Sequence, residues 1–144
     1  MDEALEFARV EPGLEGVLEE LRAREPIFHT RAFGLTAAER ERAMHSAYWE
    51  VGASGRRYSR SFIQRMLEER PPVEADAAGW RCSEFGLRRL GAETFLLTYR
   101  LEQERRITRR ATIWEKTGEG WRILYHQGTL VAGEDDTMPE ERKR

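Results

Sequence analysis

The sequence predicts an α+β domain with helices on one face of a bent antiparallel sheet, and three observations predict it. Apolar residues recur at helical spacing through the first half of the chain, ahead of Pro71-Pro72. From Gly79 to Leu130 the pattern changes to period two, broken by short polar or glycine-bearing turns. One early stretch, Ala47 to Ala53, shares that shorter period. Helices first and strands last is the segregation that puts helices to one side of a meandering sheet.

Residues 1–13 are polar, end in Pro12-Gly13 and are expected to form a flexible leader or a short helix. Leu14, Val17, Leu18 and Leu21 then share one helical face, with Glu19, Glu20, Arg22 and Arg24 on the other. Pro26 interrupts this helix, because it lacks the amide donor and clashes with the preceding turn, while Ile27, Phe28 and Phe33 prolong the apolar surface. Thr36 and Glu39 have capping-box spacing, so a short helix is expected to about Met44. In AYWEVGA, Trp49 and Val51 alternate with Tyr48 and Glu50, which assigns Trp49 and Val51 to the buried face of a strand. Ser59 caps a helix whose stripe is Phe62, Ile63, Met66 and Leu67. After the Pro71–Gly79 loop, strands are expected at 79–90, 93–102, 106–116 and 120–130. The domain thus occupies residues 14–132, and a disordered tail is expected over 133–144.

Composition narrows the function classes. A chain of 144 residues can bury one core without disulfide or metal staples. Although 35% of residues are charged, the net charge is only -2, so no overall field attracts nucleic acid or an anionic membrane, and neither is an expected partner. The single cysteine, Cys82, excludes an intramolecular disulfide and a thiolate zinc cluster, and a reducing, cytoplasmic setting is expected. No apolar run approaches the roughly 20 residues of a membrane span, and the acidic N-terminus is unlike a targeting signal. With no phosphate loop, nucleophile elbow or dinucleotide fingerprint, no cofactor is expected.

Two segments carry a resemblance: WEVGASGRRYSRSFIQRML (49–67), a strand, glycine-rich loop and capped helix, and the closing RRATIWEKTGEGWRILYHQGT (109–129). They resemble the nuclear transport factor 2-like superfamily, which includes ketosteroid isomerase and SnoaL-like polyketide cyclases. Within it the chain is most similar to an uncharacterised bacterial branch ending in a GW-hydrophobic-HQGT motif. The resemblance spans about residues 14–131. It implies a cone-shaped, strongly curved sheet whose concave face is closed by the N-terminal helices around a pocket, and a homodimer joined through the outer face. It implies no single chemistry, since this fold hosts isomerases, dehydratases, cyclases and binding or assembly modules. In the ketosteroid isomerase branch the base is an Asp at the end of the first strand, and a Tyr with a protonated Asp forms the oxyanion hole. Here alternation puts Val51 at the first position, and the only aspartates are Asp2, Asp76, Asp135 and Asp136, in leader, loop and tail. Those catalytic acids are therefore expected to be absent, and Glu50 could serve only if the strand register moved by one.

A hairpin turning at Gly118-Glu119 pairs Lys116 with Trp121, Trp114 with Ile123, Thr112 with Tyr125 and Arg110 with Gln127 on one face. Glu115 with Arg122, Ile113 with Leu124 and Ala111 with His126 then pair on the other. The first face is apolar near the turn and polar beyond it, as a pocket with an apolar floor requires. The expected pocket is therefore Arg110, Thr112, Trp114, Tyr125 and Gln127, with Trp49, Val51 and Tyr99. Ala111, Ile113, Leu124 and His126 are expected at the dimer interface. A guanidinium facing this interior needs acceptors. Gln127, Thr112, Tyr125, an acid such as Glu50 or Glu102, or a bound carboxylate or phosphate could provide them.

His29, after EPIF, is a candidate acid/base group, with a helix-end hydrogen bond as its structural alternative. His45 is expected to be exposed. No histidine pair has metal-ligand spacing, so no metal is expected. Three functions follow: a pocket that binds a small polar or anionic organic ligand, an isomerase, lyase or dehydratase of the SnoaL-like kind, or a non-catalytic dimeric assembly module.

Overall fold

The structure, a computed structural model, describes residues 6–29, 33–70 and 79–132. The expected tail and nearly all of the expected Pro71–Gly79 loop lie outside these residues, as does the start of the leader. Helix α1 (Glu15–Arg22) presents the expected stripe: Leu14, just before it, and Leu21 are buried, and Val17 and Leu18 pack against the core. In α2 (Ala37–Arg42), Thr36 Oγ1 accepts the Glu39 amide at 3.1 Å. Glu39 reaches back to the Leu35 amide at 2.8 Å, one residue beyond the expected reciprocal partner.

Strand β1 (Met44–Val51) begins earlier than the sequence pattern indicates, and the short strand β2 (Arg57–Ser59) follows it. Ser59 then caps α3 (Arg60–Glu69), accepting the Phe62 amide at 3.2 Å. Ile63 and Leu67 of α3 are buried, while Phe62 and Met66 are exposed. Strands β3 (Arg81–Gly91), β4 (Thr94–Gln103), β5 (Arg106–Thr117) and β6 (Gly120–Leu130) form the expected meander. The sheet order is β2-β1-β6-β5-β4-β3, with β1 parallel to β6 and the other named pairs antiparallel. No described helix is long and apolar enough to cross a membrane.

The second part of the leader is tied to the sheet. Val10 bridges Leu87, and backbone hydrogen bonds of 2.9 and 3.0 Å join Glu11 and Arg9 to Leu87. Gly86 permits that approach: a Cβ there would stand 3.1 Å from the Phe7 carbonyl oxygen and 2.8 Å from Thr98 Oγ1.

Two expectations about side-chain direction are overturned. On β1, Tyr48 is 2% exposed and Trp49 is 45% exposed, so the even-numbered residues face the core. Tyr48 and Glu50 hydrogen-bond to each other at 2.8 Å on the inner side, and Trp49 packs edge-on to Tyr125 on the outer side, ring centroids 5.0 Å apart. The β5–β6 hairpin begins in the expected register, with Lys116 opposite Trp121, Glu115 opposite Arg122 in an ion pair, and Trp114 opposite Ile123. Beyond Trp114 a β-bulge leaves Leu124 extra on β6, so that Ile113 faces Tyr125, Thr112 faces His126, Ala111 faces Gln127 and Arg110 faces Gly128. A one-residue slip exchanges faces. Tyr125 and Gln127 move outward, and His126, 1% exposed, moves inward.

Candidate functional site

Residues from the segment after α1, from α3 and from five strands line a cavity of about 250 Å3 on the inner face of the sheet. Pro26, Ile27, Phe28, Ile63, Met66, Trp80 and Leu101 form its apolar walls, and Glu50, Arg110 and His126 bring polar groups to it. His29, Tyr58, Gln103 and Arg106 complete the lining.

Arg110 lines this cavity, and its partners differ from those expected. Its Nε donates to Thr108 Oγ1 at 3.0 Å and its Nη1 to His126 Nε2 at 3.3 Å. Among the described residues Nη2 has no protein acceptor, and no carboxylate lies within ion-pair distance. Gly128 lies opposite on β6, where a Cβ would stand in ordinary contact with the guanidinium, 3.4 Å from Arg110 Cζ and Nη1.

Behind the cavity lies a buried carboxyl that sequence reasoning passed over. Glu25, 5% exposed, accepts hydrogen bonds from Tyr99 Oη at 2.7 Å, Trp114 Nε1 at 3.0 Å and the Ile27 amide at 3.2 Å. Burial pushes its pKa up to about 7, against the pull of those donors. A signal was available: Glu25 continues the spacing of Leu14, Leu18 and Leu21, four residues past Leu21 and beyond the end of α1. Glu50 is likewise raised by burial, with the Tyr48 hydrogen bond and the Arg110 charge opposing the shift. His126 is lowered to about 3 by burial and by Arg110, so its imidazole is neutral at physiological pH.

The expected pocket residues therefore separate. Arg110 lines the cavity, whereas Thr112, Trp114 and Tyr99 are buried around Glu25. Trp49, Val51, Tyr125 and Gln127 do not join them: Val51 pairs with Gln127 and Trp49 with Tyr125 on the outer face, where the Tyr125 hydroxyl donates to Gln127 at 2.7 Å. Of the expected interface set, Ala111 and Ile113 are on that outer face and Leu124 is the bulge residue, but His126 belongs to the interior. His29 does reach the cavity, its ring edge-on to Trp80 at 4.8 Å.

No protein-family model and no curated protein sequence matches the chain. Solved structures do. A protein of unknown function of the DUF3225 family from Pectobacterium atrosepticum aligns over 92% of this chain and 94% of its own, at 17% identity and a TM-score of 0.60. An NTF2-like protein of unknown function in nutrient uptake from Rhodospirillum rubrum aligns over 82% and 98%, at 16% identity and TM-score 0.55. A cystatin-like fold protein from Burkholderia xenovorans aligns over 81% and 90%, at 12% identity and TM-score 0.60. With its helices set beside an open, mixed six-stranded sheet, the chain has the nuclear transport factor 2-like fold.

Proposed function

We propose that the protein binds a small organic anion, a carboxylate with an apolar body, in the inner cavity. The observation that carries this reading is Arg110: a half-buried guanidinium in the cavity wall, held by two neutral acceptors and left with an Nη2 that has none among the described residues. With no carboxylate within ion-pair distance among the described residues, a bound carboxylate would supply both charge and acceptor. The volume, about 250 Å3, falls just below the roughly 300–1,000 Å3 of small-molecule sites, which favours a small metabolite. Arg106 adds positive charge to the lining, and the apolar walls suit a hydrocarbon body.

A second reading, catalysis on that ligand, is favoured by Glu50. It sits one position from where the sequence pattern put Val51, lines the cavity, and has a carboxyl raised by burial towards the range useful in proton transfer. The reaction class would be removal and return of a carbon-bound proton beside the carboxylate or a neighbouring carbonyl.

One experiment addresses both readings. Short-chain, 2-oxo and aromatic monocarboxylates, butyrate and benzoate among them, are titrated in D2O and followed by NMR for binding and for loss of carbon-bound protons. Arg110→Ala should weaken binding at least tenfold, and Glu50→Gln should stop exchange while retaining binding. Equal binding by the Arg110→Ala protein, or no binding by the wild type, sinks the anion reading. Absence of exchange with bound ligand removes the catalytic one.

A further inference from the structure

Arg110 is held by a chain of hydrogen bonds that runs from the cavity wall into the core. The Arg110 guanidinium is only a donor, so His126 Nε2, 3.3 Å from Nη1, must be unprotonated. The imidazole proton is then on Nδ1, and it is donated to the Thr112 hydroxyl oxygen, 2.7 Å away.

We propose that Thr112 and His126 are positioning residues for the ligand site: the Thr112 oxygen accepts from the Nδ1–H of His126 and fixes its ring, and the bare Nε2 holds Arg110. This deepens the anion-binding reading and rests on it for the ligand's class. The remaining contact fits the role: Thr108 fixes the Nε edge of the guanidinium at 3.0 Å. Thr108, Thr112 and His126 are all buried, so water does not compete for these bonds. Arg110 is thereby pre-organised, which lowers the ordering cost of binding an anion.

The test reads the imidazole directly. At pH 8, a two-bond proton–nitrogen correlation spectrum of nitrogen-15-labelled protein should show His126 neutral and protonated at Nδ1. Thr112→Val, which keeps the shape and removes the hydroxyl, should take the acceptor from Nδ1–H, move its proton resonance upfield of the wild-type position and weaken binding of butyrate, the probe, about tenfold. Thr112→Ser should restore both. An Nε2–H tautomer or an imidazolium in the wild type overturns the proposal, as does a Thr112→Val protein whose Nδ1–H resonance is unmoved or which binds butyrate as the wild type does. If Thr112→Val fails to fold, the wild-type spectrum decides. Should Arg110→Ala bind butyrate normally, or the wild type not bind it, the anion reading falls, and the spectrum still decides the hydrogen-bond chain.

Discussion

Glu25 and His126 pull the pH dependence of stability in opposite directions. Glu25 rises from an ordinary 4.5 to about 7 on folding, so the folded state resists its ionisation. Its contribution is full below 4.5 and is lost as pH rises to about 7, roughly 3 kcal/mol in all. His126 falls from 6.5 to about 3, so the folded state resists its protonation. Its contribution is full above 6.5 and is lost as pH falls to about 3, roughly 5 kcal/mol. Between 4.5 and 6.5 the two slopes cancel, and these groups leave the stability of the wild type flat. Glu25→Gln removes one slope. Urea unfolding from pH 4.5 to 6.5 should show the variant losing about 1.4 kcal/mol per pH unit relative to the wild type as the solution is acidified. Parallel curves for the two proteins would refute this assignment. Neither residue was legible as a site from sequence. Glu25 continues an otherwise apolar stripe, and alternation across an assumed regular hairpin sent His126 outward. The face of Arg110 was legible, because on β5 it lies at alternate positions with Thr112 and Trp114 whatever the β6 register.

At the scale of elements, helices and strands were legible wherever periodicity or capping chemistry was local. Ser59 at the start of α3 and Leu14 with Leu21 on α1 were of this kind, and so was the hairpin turn at Gly118-Glu119. What escaped was direction. The rule that the more apolar residue faces inward chose Trp49 over Tyr48, although large apolar groups also occupy surfaces. The bulge at Leu124 has no sequence signature, and its effect is to separate two correct halves of a ladder. It also makes a prediction that an unbulged hairpin does not. Deleting Leu124 should leave Trp114 opposite Ile123 and Thr112 opposite His126, because the extra residue alone is removed. The deletion variant should fold, keep the Nδ1–H signature of His126, and lose between roughly 0.5 and 3 kcal/mol. Were Leu124 paired with Ile113 in a regular ladder, the deletion would invert the rest of β6. An unfolded product, or one with a solvent-titrating His126, would then result.

For the whole molecule, the sequence order of helices and strands carried the fold class, and the chain's likeness to solved structures at 12–17% identity lies in the fold alone. The parallel pairing of β1 with β6 was not derivable from period or spacing, since nothing local connects Glu50 to His126. That pairing has a consequence in time. The β3–β6 meander joins neighbours in the chain, whereas Trp49 meets Tyr125 only by closing a loop across most of the domain. Such closure is entropically expensive and slow relative to local hairpins. The cavity takes Glu50 from one side of that closure and Arg110 and His126 from the other. Refolding followed by circular dichroism should therefore register strand formation before butyrate binding is recovered. Simultaneous recovery would show that β1 docks along with the meander. The protein on this account acquires its sheet first and its capacity to hold a ligand last.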